Sequence, residues 1–149
     1  MRALLQRVSK ASVSVDGNTV GICHRGWFIL LGIHHDDKPE DLSSLVKKIA
    51  SLRGFADEND KMNLDIKAID GEILVVSQFT LYADLARGNR PGFSEAAAPE
   101  YAKNLYELFI SGLKAEGIRV QTGIFGAQML IHTNCDGPVT FLLETGNKR

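Results

Sequence analysis

The run Trp27-Phe28-Ile29-Leu30-Leu31-Gly32-Ile33 constrains this chain most. It is apolar on both faces of an extended backbone, so it reads as a central strand. It is far too short to cross a bilayer, which takes about 20 apolar residues in a helix. The segments before it carry a hairpin signature. Ser12-Val13-Ser14-Val15 alternates with period two, Asp16-Gly17-Asn18 signals a turn, and Val20-Gly21-Ile22-Cys23 resumes the run.

Helical periodicity follows. Leu42, Leu45, Val46, Ile49 and Leu52 recur on one side, with Lys47 and Lys48 on the other. Asp57 to Lys61 is a polar loop, and Ile73 to Phe79 reads as the next strand. A second helix is expected to start at Pro99, where proline fits the first turn, and to stop near Gly117. Its apolar side is Ala102, Leu105, Tyr106, Phe109, Ile110 and Leu113. Val120, Met129 to Ile131, and Val139 to Leu143 suggest closing strands. The expectation is an α+β fold in a single domain over 1–149, with a largely antiparallel or mixed sheet and two main helices.

A net charge of −1 weighs against a protein that grips long stretches of phosphate backbone, although it leaves room for a local basic patch. The only cysteines, Cys23 and Cys135, are too far apart for a CxxC site. Reduced thiols and no signal-like segment at the start make a cytoplasmic location, with no membrane contact, the expectation.

Two short segments carry the candidate chemistry. Ser77-Gln78-Phe79-Thr80-Leu81 ends the apolar run Glu72 to Val76, and Gly137-Pro138-Val139-Thr140 opens the last one. Ser77 and Thr80 are hydroxyls that a neighbouring base would turn into nucleophiles, but no base lies near them in sequence and no Gly-x-Ser-x-Gly elbow exists. The alternatives are hydroxyls that satisfy backbone groups, or main-chain N–H groups that act as oxyanion donors. A strand through Phe79 would point Ser77 and Phe79 one way and Gln78 and Thr80 the other.

His34-His35-Asp36-Asp37 invites a metal reading, but neighbours on an extended chain diverge, so no metal is expected. By the same alternation His132 and Cys135 fall on opposite faces, and Cys135 reads as a small, partly buried residue. Asp57, Asn59 and Asp60 lack the calcium-loop glycine, since Met62 stands there. Arg87 and Arg90, in a loop of glycines and proline, suit a phosphate, and Arg7 and Lys10 are weaker versions of the idea. Phe125 and Met129 either wall an apolar pocket or pack in the core.

Together, Ser77-Gln78-Phe79-Thr80-Leu81 and Asp136-Gly137-Pro138-Val139-Thr140 resemble the two signature motifs of the D-aminoacyl-tRNA deacylases. Leu5-Gln6-Arg7-Val8, Lys61-Met62-Asn63-Leu64, Arg87-Gly88, Gln121-Thr122-Gly123 and Phe125-Gly126 are similar to that family as well. Cys135 departs from it, standing where an asparagine is usual.

The resemblance implies a barrel-like deacylase fold and hydrolysis of D-aminoacyl-tRNA without a cofactor. It implies catalysis at Ser77, Gln78, Phe79 and Thr80, with substrate contacts from Phe125, Met129, Gly137, Pro138, Val139 and Thr140. Arg7, Arg87 and Arg90 would meet the tRNA acceptor end. It further implies a homodimer in which each Gly137-Pro138 step, its peptide cis, enters the partner's pocket. A ribose 2′-OH would assist where the protein lacks a base. A small esterase acting through Ser77 or Thr80 and a non-catalytic RNA-binding module are the competing readings.

Overall fold

A computed structural model of the chain describes residues 1–146. Its sheet is organised by the long strand β1 (Arg2–Val15), which pairs antiparallel with three others. One edge carries β3 (Gly26–Gly32) along Arg2 to Val8, then β2 (Asn18–Cys23) along Ala11 to Val15. The β1–β2 hairpin turns as its sequence predicts. Asp16 and Gly17 both take positive φ, 50° and 80°, the pair of left-handed residues that a two-residue hairpin turn needs.

Between β3 and the next strand lies α1 (Pro39–Ser51). After it come the small β4 (Phe55–Ala56) and β5 (Met62–Leu64), then β6 (Glu72–Ser77), α2 (Pro99–Ala115), β7 (Arg119–Thr122) and β8 (Leu130–Glu144). β3 pairs parallel with β6, and β6 parallel with β7. Parallel neighbours need a crossover, and α1 and α2 supply the two. The antiparallel expectation therefore holds for β1 and its partners, while the middle of the sheet is parallel because helices take up its connections.

β3 is central and buried on both faces, as its composition demands. Trp27, Ile29 and Leu31 face the helices, and Phe28 joins Val8, Val13, Leu74 and Val76 on the opposite side. The helices sit close together: a Cβ on Gly112 of α2 would stand 3.0 Å from Val46 Cγ2 of α1. Tyr106 of α2 donates its buried hydroxyl to the Val75 carbonyl at 3.0 Å, and burial pushes its phenol up to about 12. The sheet then curls until its ends approach. The Ile22 amide of β2 donates to the Gln121 side chain of β7 at 2.8 Å. A Cβ on Gly21 would fall 2.4 Å from the Thr122 carbonyl oxygen. The result is a nearly closed, mixed barrel.

Two strand expectations change. β6 stops at Ser77, and Phe79–Tyr82 forms a 3-10 turn in place of two more strand residues. Leu130 and Ile131 of the first closing run and all of Val139–Leu143 belong to one strand, β8, paired with β1 nearly end to end. Asp57 to Lys61 is a turn held by the Asp57 carboxylate, which accepts the Asn59 and Lys61 amides at 2.8 and 3.1 Å. These bonds, the Lys61 one first, hold its carboxyl below the ordinary value.

Candidate active site

The parallel ladder between β3 and β6 ends where Ser77 pairs with Leu31 and the Gln78 amide donates to the Leu31 carbonyl at 2.8 Å. The carboxyl end of parallel strands is where open sheets of this kind leave a crevice. Here the chain tightens into the 3-10 turn, with Leu81 N donating to Gln78 O at 3.3 Å and Ala83 N to Thr80 O at 3.1 Å. The first amides of such a turn have no partner within it. Among the described residues none accepts the N–H of Phe79 or Thr80.

The turn cancels the expected strand alternation. Gln78 donates its side-chain amide to the Thr80 hydroxyl. Among the described residues, no histidine or carboxylate is hydrogen-bonded to the Ser77 or Thr80 hydroxyl. The arrangement therefore offers two unpartnered main-chain donors and, among the described residues, no base on either hydroxyl.

Neighbouring elements brace this turn. Arg2 donates to the Leu81 carbonyl at 2.7 Å, lies 4.7 Å over the Tyr82 ring and pairs with Glu144 at 2.7 Å. Burial first, then the Asp37 charge, pushes the Tyr82 phenol above its ordinary value, with Arg2 acting in the opposite direction. Phe79 is 57% exposed, and its ring meets Phe93 edge-on at 4.9 Å. Phe93 follows the loop of Arg87 and Arg90, which Asp84 and Gly92 pinch shut by exchanging backbone bonds of 2.8 and 2.9 Å. Both arginines are exposed. Sequence reading missed Arg2 and Phe93, because their partners are distant and no local pattern marks them.

The second motif is a bulge in β8. Gln6 pairs with Thr140 and Val8 with Cys135, so residues 136–139 stand opposite Arg7 alone. The Gly137–Pro138 peptide is cis, and Gly137 has φ +126°. A Cβ there would lie 2.9 Å from both the Val139 amide and its Cγ2, and 3.1 Å from the Arg7 guanidinium. Arg7 donates through Nε to the Asp136 carbonyl at 3.1 Å and through a terminal nitrogen to the Gly54 carbonyl at 3.0 Å. Its side chain is 14% exposed. Its observed contacts tie the bulge to the segment at Gly54. Cys135 is exposed, not partly buried, although it stays in the ladder opposite Val8. Val139 packs against the core and Thr140 is exposed.

Other expectations also meet the structure. Phe125 packs with the helix-side core and touches Tyr106 at 5.6 Å, whereas Met129 packs with Val8, Val13 and Val76 on the other face. They pack against separate clusters, on opposite faces of the sheet. His34 and His35 do not diverge. Their rings lie 4.2 Å apart, because the strand ends at Gly32 and the chain turns through Asp37, whose amide donates to the His34 carbonyl.

Within one chain the two motifs are far apart. Ser77, Leu31, Ala3 and Leu143 form one row across the sheet, while Ile73, Trp27 and Arg7 form the row beside the bulge. The rows are four residues apart, about 13 Å, and three strand spacings add about 14 Å, so the motifs are roughly 20 Å apart along the sheet.

A family model described as D-Tyr-tRNA(Tyr) deacylase matches residues 4–144. A D-aminoacyl-tRNA deacylase of Clostridioides difficile is 54% identical over 145 residues, covering 97% of each chain. That of Limosilactobacillus reuteri is 54% identical over 144 residues, 97% of this chain and 99% of its own. Among solved structures, a c-Myc DNA unwinding element binding protein superposes with a TM-score of 0.92 at 40% identity, over 98% of this chain and 99% of its own. A probable eukaryotic D-amino acid tRNA deacylase, at 18% identity and TM-score 0.85, shares the fold over 95% of this chain and 97% of its own.

Fold, strand-end site and relatives define a hydrolase of the deacylase class. The chain belongs to the D-Tyr-tRNA(Tyr) deacylase family.

Proposed function

We propose that this chain hydrolyses the ester of D-aminoacyl-tRNA, releasing D-amino acid and free tRNA as a proofreading step in cytoplasmic translation. The observation that carries the reading is the pair of unpartnered amides at Phe79 and Thr80, set where a parallel strand ends in a chain of this family. They stabilise the tetrahedral oxyanion as the ester carbonyl is attacked by water. With no side-chain base at hand, the neighbouring ribose 2′-OH of the tRNA assists the attack.

Two copies of the chain build each site. The roughly 20 Å between the motifs along the sheet supports this, because one chain cannot bring Gly137-Pro138 to its own Phe79. So does the free outer edge of β8, which pairs only with β1 among the described residues and exposes Leu130 and Leu142. The partner's Gly-Pro backbone then forms a wall that every L side chain strikes and every D side chain avoids, whatever its chemistry. Glycine has no side chain to strike it, so glycyl-tRNA is cleaved too. Arg87 and Arg90 meet the acceptor-end phosphates.

The test is deacylation of matched D-tyrosyl-tRNA and L-tyrosyl-tRNA by the purified protein, with light scattering on the same sample. Loss of the D ester alone, from a dimer, is expected. A fully active monomer would overturn the two-chain site. Loss of both esters would point to a general esterase. Binding of tRNA without release of amino acid would leave only a binding module.

A further inference from the structure

We propose that His34, His35 and Glu95 form a binding site for a divalent transition metal of the zinc type, separate from the amides of Phe79 and Thr80. The three residues come from two segments that the backbone clips together. His34 forms a β-bridge with Ala96, and the His35 amide donates to the Glu95 carbonyl at 3.1 Å. One ring nitrogen of each histidine and a carboxylate oxygen of Glu95 all lie within 4.8 Å of one another. His34 Nε2 and Glu95 Oε2 are already 2.9 Å apart.

A tetrahedral zinc with bonds of about 2.0–2.1 Å needs its ligand atoms about 3.4 Å apart. Small side-chain rotations about the clipped backbone meet that requirement. His35 and Glu95 are 46% and 51% exposed, so those rotations disturb no core packing. Two imidazoles and one carboxylate, with water completing the sphere, suit zinc and its neighbours rather than the hard cations magnesium and calcium.

An acidic side chain borders both rings. Asp36 carboxylate oxygens lie 3.0 Å from His35 Nδ1 and 4.0 Å from His34 Nδ1. When His35 ligates through Nε2, its proton sits on Nδ1 and is donated to the Asp36 carboxylate at 3.0 Å. The Asp36 amide donates to His34 Nδ1 at 3.1 Å, so ligation through His34 Nε2 requires that ring to rotate off the amide. The cluster opens onto a depression of about 1010 Å³ whose other charged walls include Asp36, Asp41 and Glu144 against Arg2 and Lys38. An excess of carboxylates favours a cation. The ion would staple Glu95 to the end of β3, two residues from the Phe93 that packs on Phe79.

The experiment is titration of the purified, chelator-treated full chain with zinc by calorimetry and with cobalt by visible absorption. One ion per chain and a rise in Tm are expected. Loss of a ligand in His35→Ala or Glu95→Gln should weaken binding by at least the roughly tenfold that outer-shell changes cost, and remove the Tm rise. Both variants should keep the wild-type Tm without metal, since both side chains are exposed. His24→Ala, an exposed histidine elsewhere, should bind as wild type does. The proposal is overturned if neither metal binds saturably, or if binding survives His35→Ala and Glu95→Gln.

Discussion

Replacing Arg7 separates a residue that shapes the bulge from one that grips RNA. The guanidinium bonds two carbonyls on two segments, Asp136 and Gly54, and its pairing with the half-exposed Asp136 carboxylate adds little. Hydrogen bonds from a charged donor contribute about 1.5–3 kcal/mol each. If only one of the two sets the placement of residues 136–139, its loss shifts the population of the observed bulge by about 2 kcal/mol, or roughly 30-fold. Arg7→Ala should lower kcat/KM for D-tyrosyl-tRNA by about that factor.

Arg7→Lys keeps the charge but loses the planar fork that reaches both carbonyls, so it should be nearly as impaired. The assay is deacylation at several salt concentrations. A positioning residue leaves the salt dependence of tRNA binding unchanged, whereas a phosphate contact reduces its slope by about 1 when removed. A wild-type rate in Arg7→Lys, with a shallower salt slope in Arg7→Ala, would refute the reasoning.

Gly137→Ala places a methyl group against the Val139 amide, at a φ that L residues rarely adopt. It should cost about 1–3 kcal/mol of local strain and lower deacylation while the far-UV spectrum stays native. Asp37→Ala strands the buried Met1 ammonium, which Asp37 meets at 2.5 Å, and removes the acceptor for the His34 amide at 2.7 Å. Breaking a buried pair costs about 3–5 kcal/mol, which calorimetry should read as a fall in Tm of roughly 10 °C. The Glu72 carboxyl is held below its ordinary value of 4.5, first by the His24 amide, with burial opposing and His24 and Arg119 adding to the effect. Its stabilisation is therefore present above that value and lost as pH falls through the lowered one. Glu72→Gln should lower Tm at neutral pH, and the gap should close in acid; a gap that persists there would be inconsistent with ionisation as its source.

What sequence could carry here was local. Period-two and period-3.6 patterns marked β1, β2, α1 and α2, and an unbroken apolar run marked β3, because each depends only on which face of one element is buried. The two motifs could be recognised for a related reason: each is a contiguous stretch whose backbone shape needs glycine, proline or small hydroxyls in order.

Tertiary structure decided what depends on distant pairing. Ser77 ends β6 because the ladder with Leu31 stops there, so the 3-10 turn at Phe79 carried no local period to detect. The sequence offered Arg7 only as a candidate phosphate contact, because its carbonyl partners on Gly54 and Asp136 are 47 and 129 residues away. The approach of Glu95 to His34 likewise needed the β-bridge to Ala96. The register across four strands sets the two motifs apart within one chain, and no short window of sequence encodes register between strands.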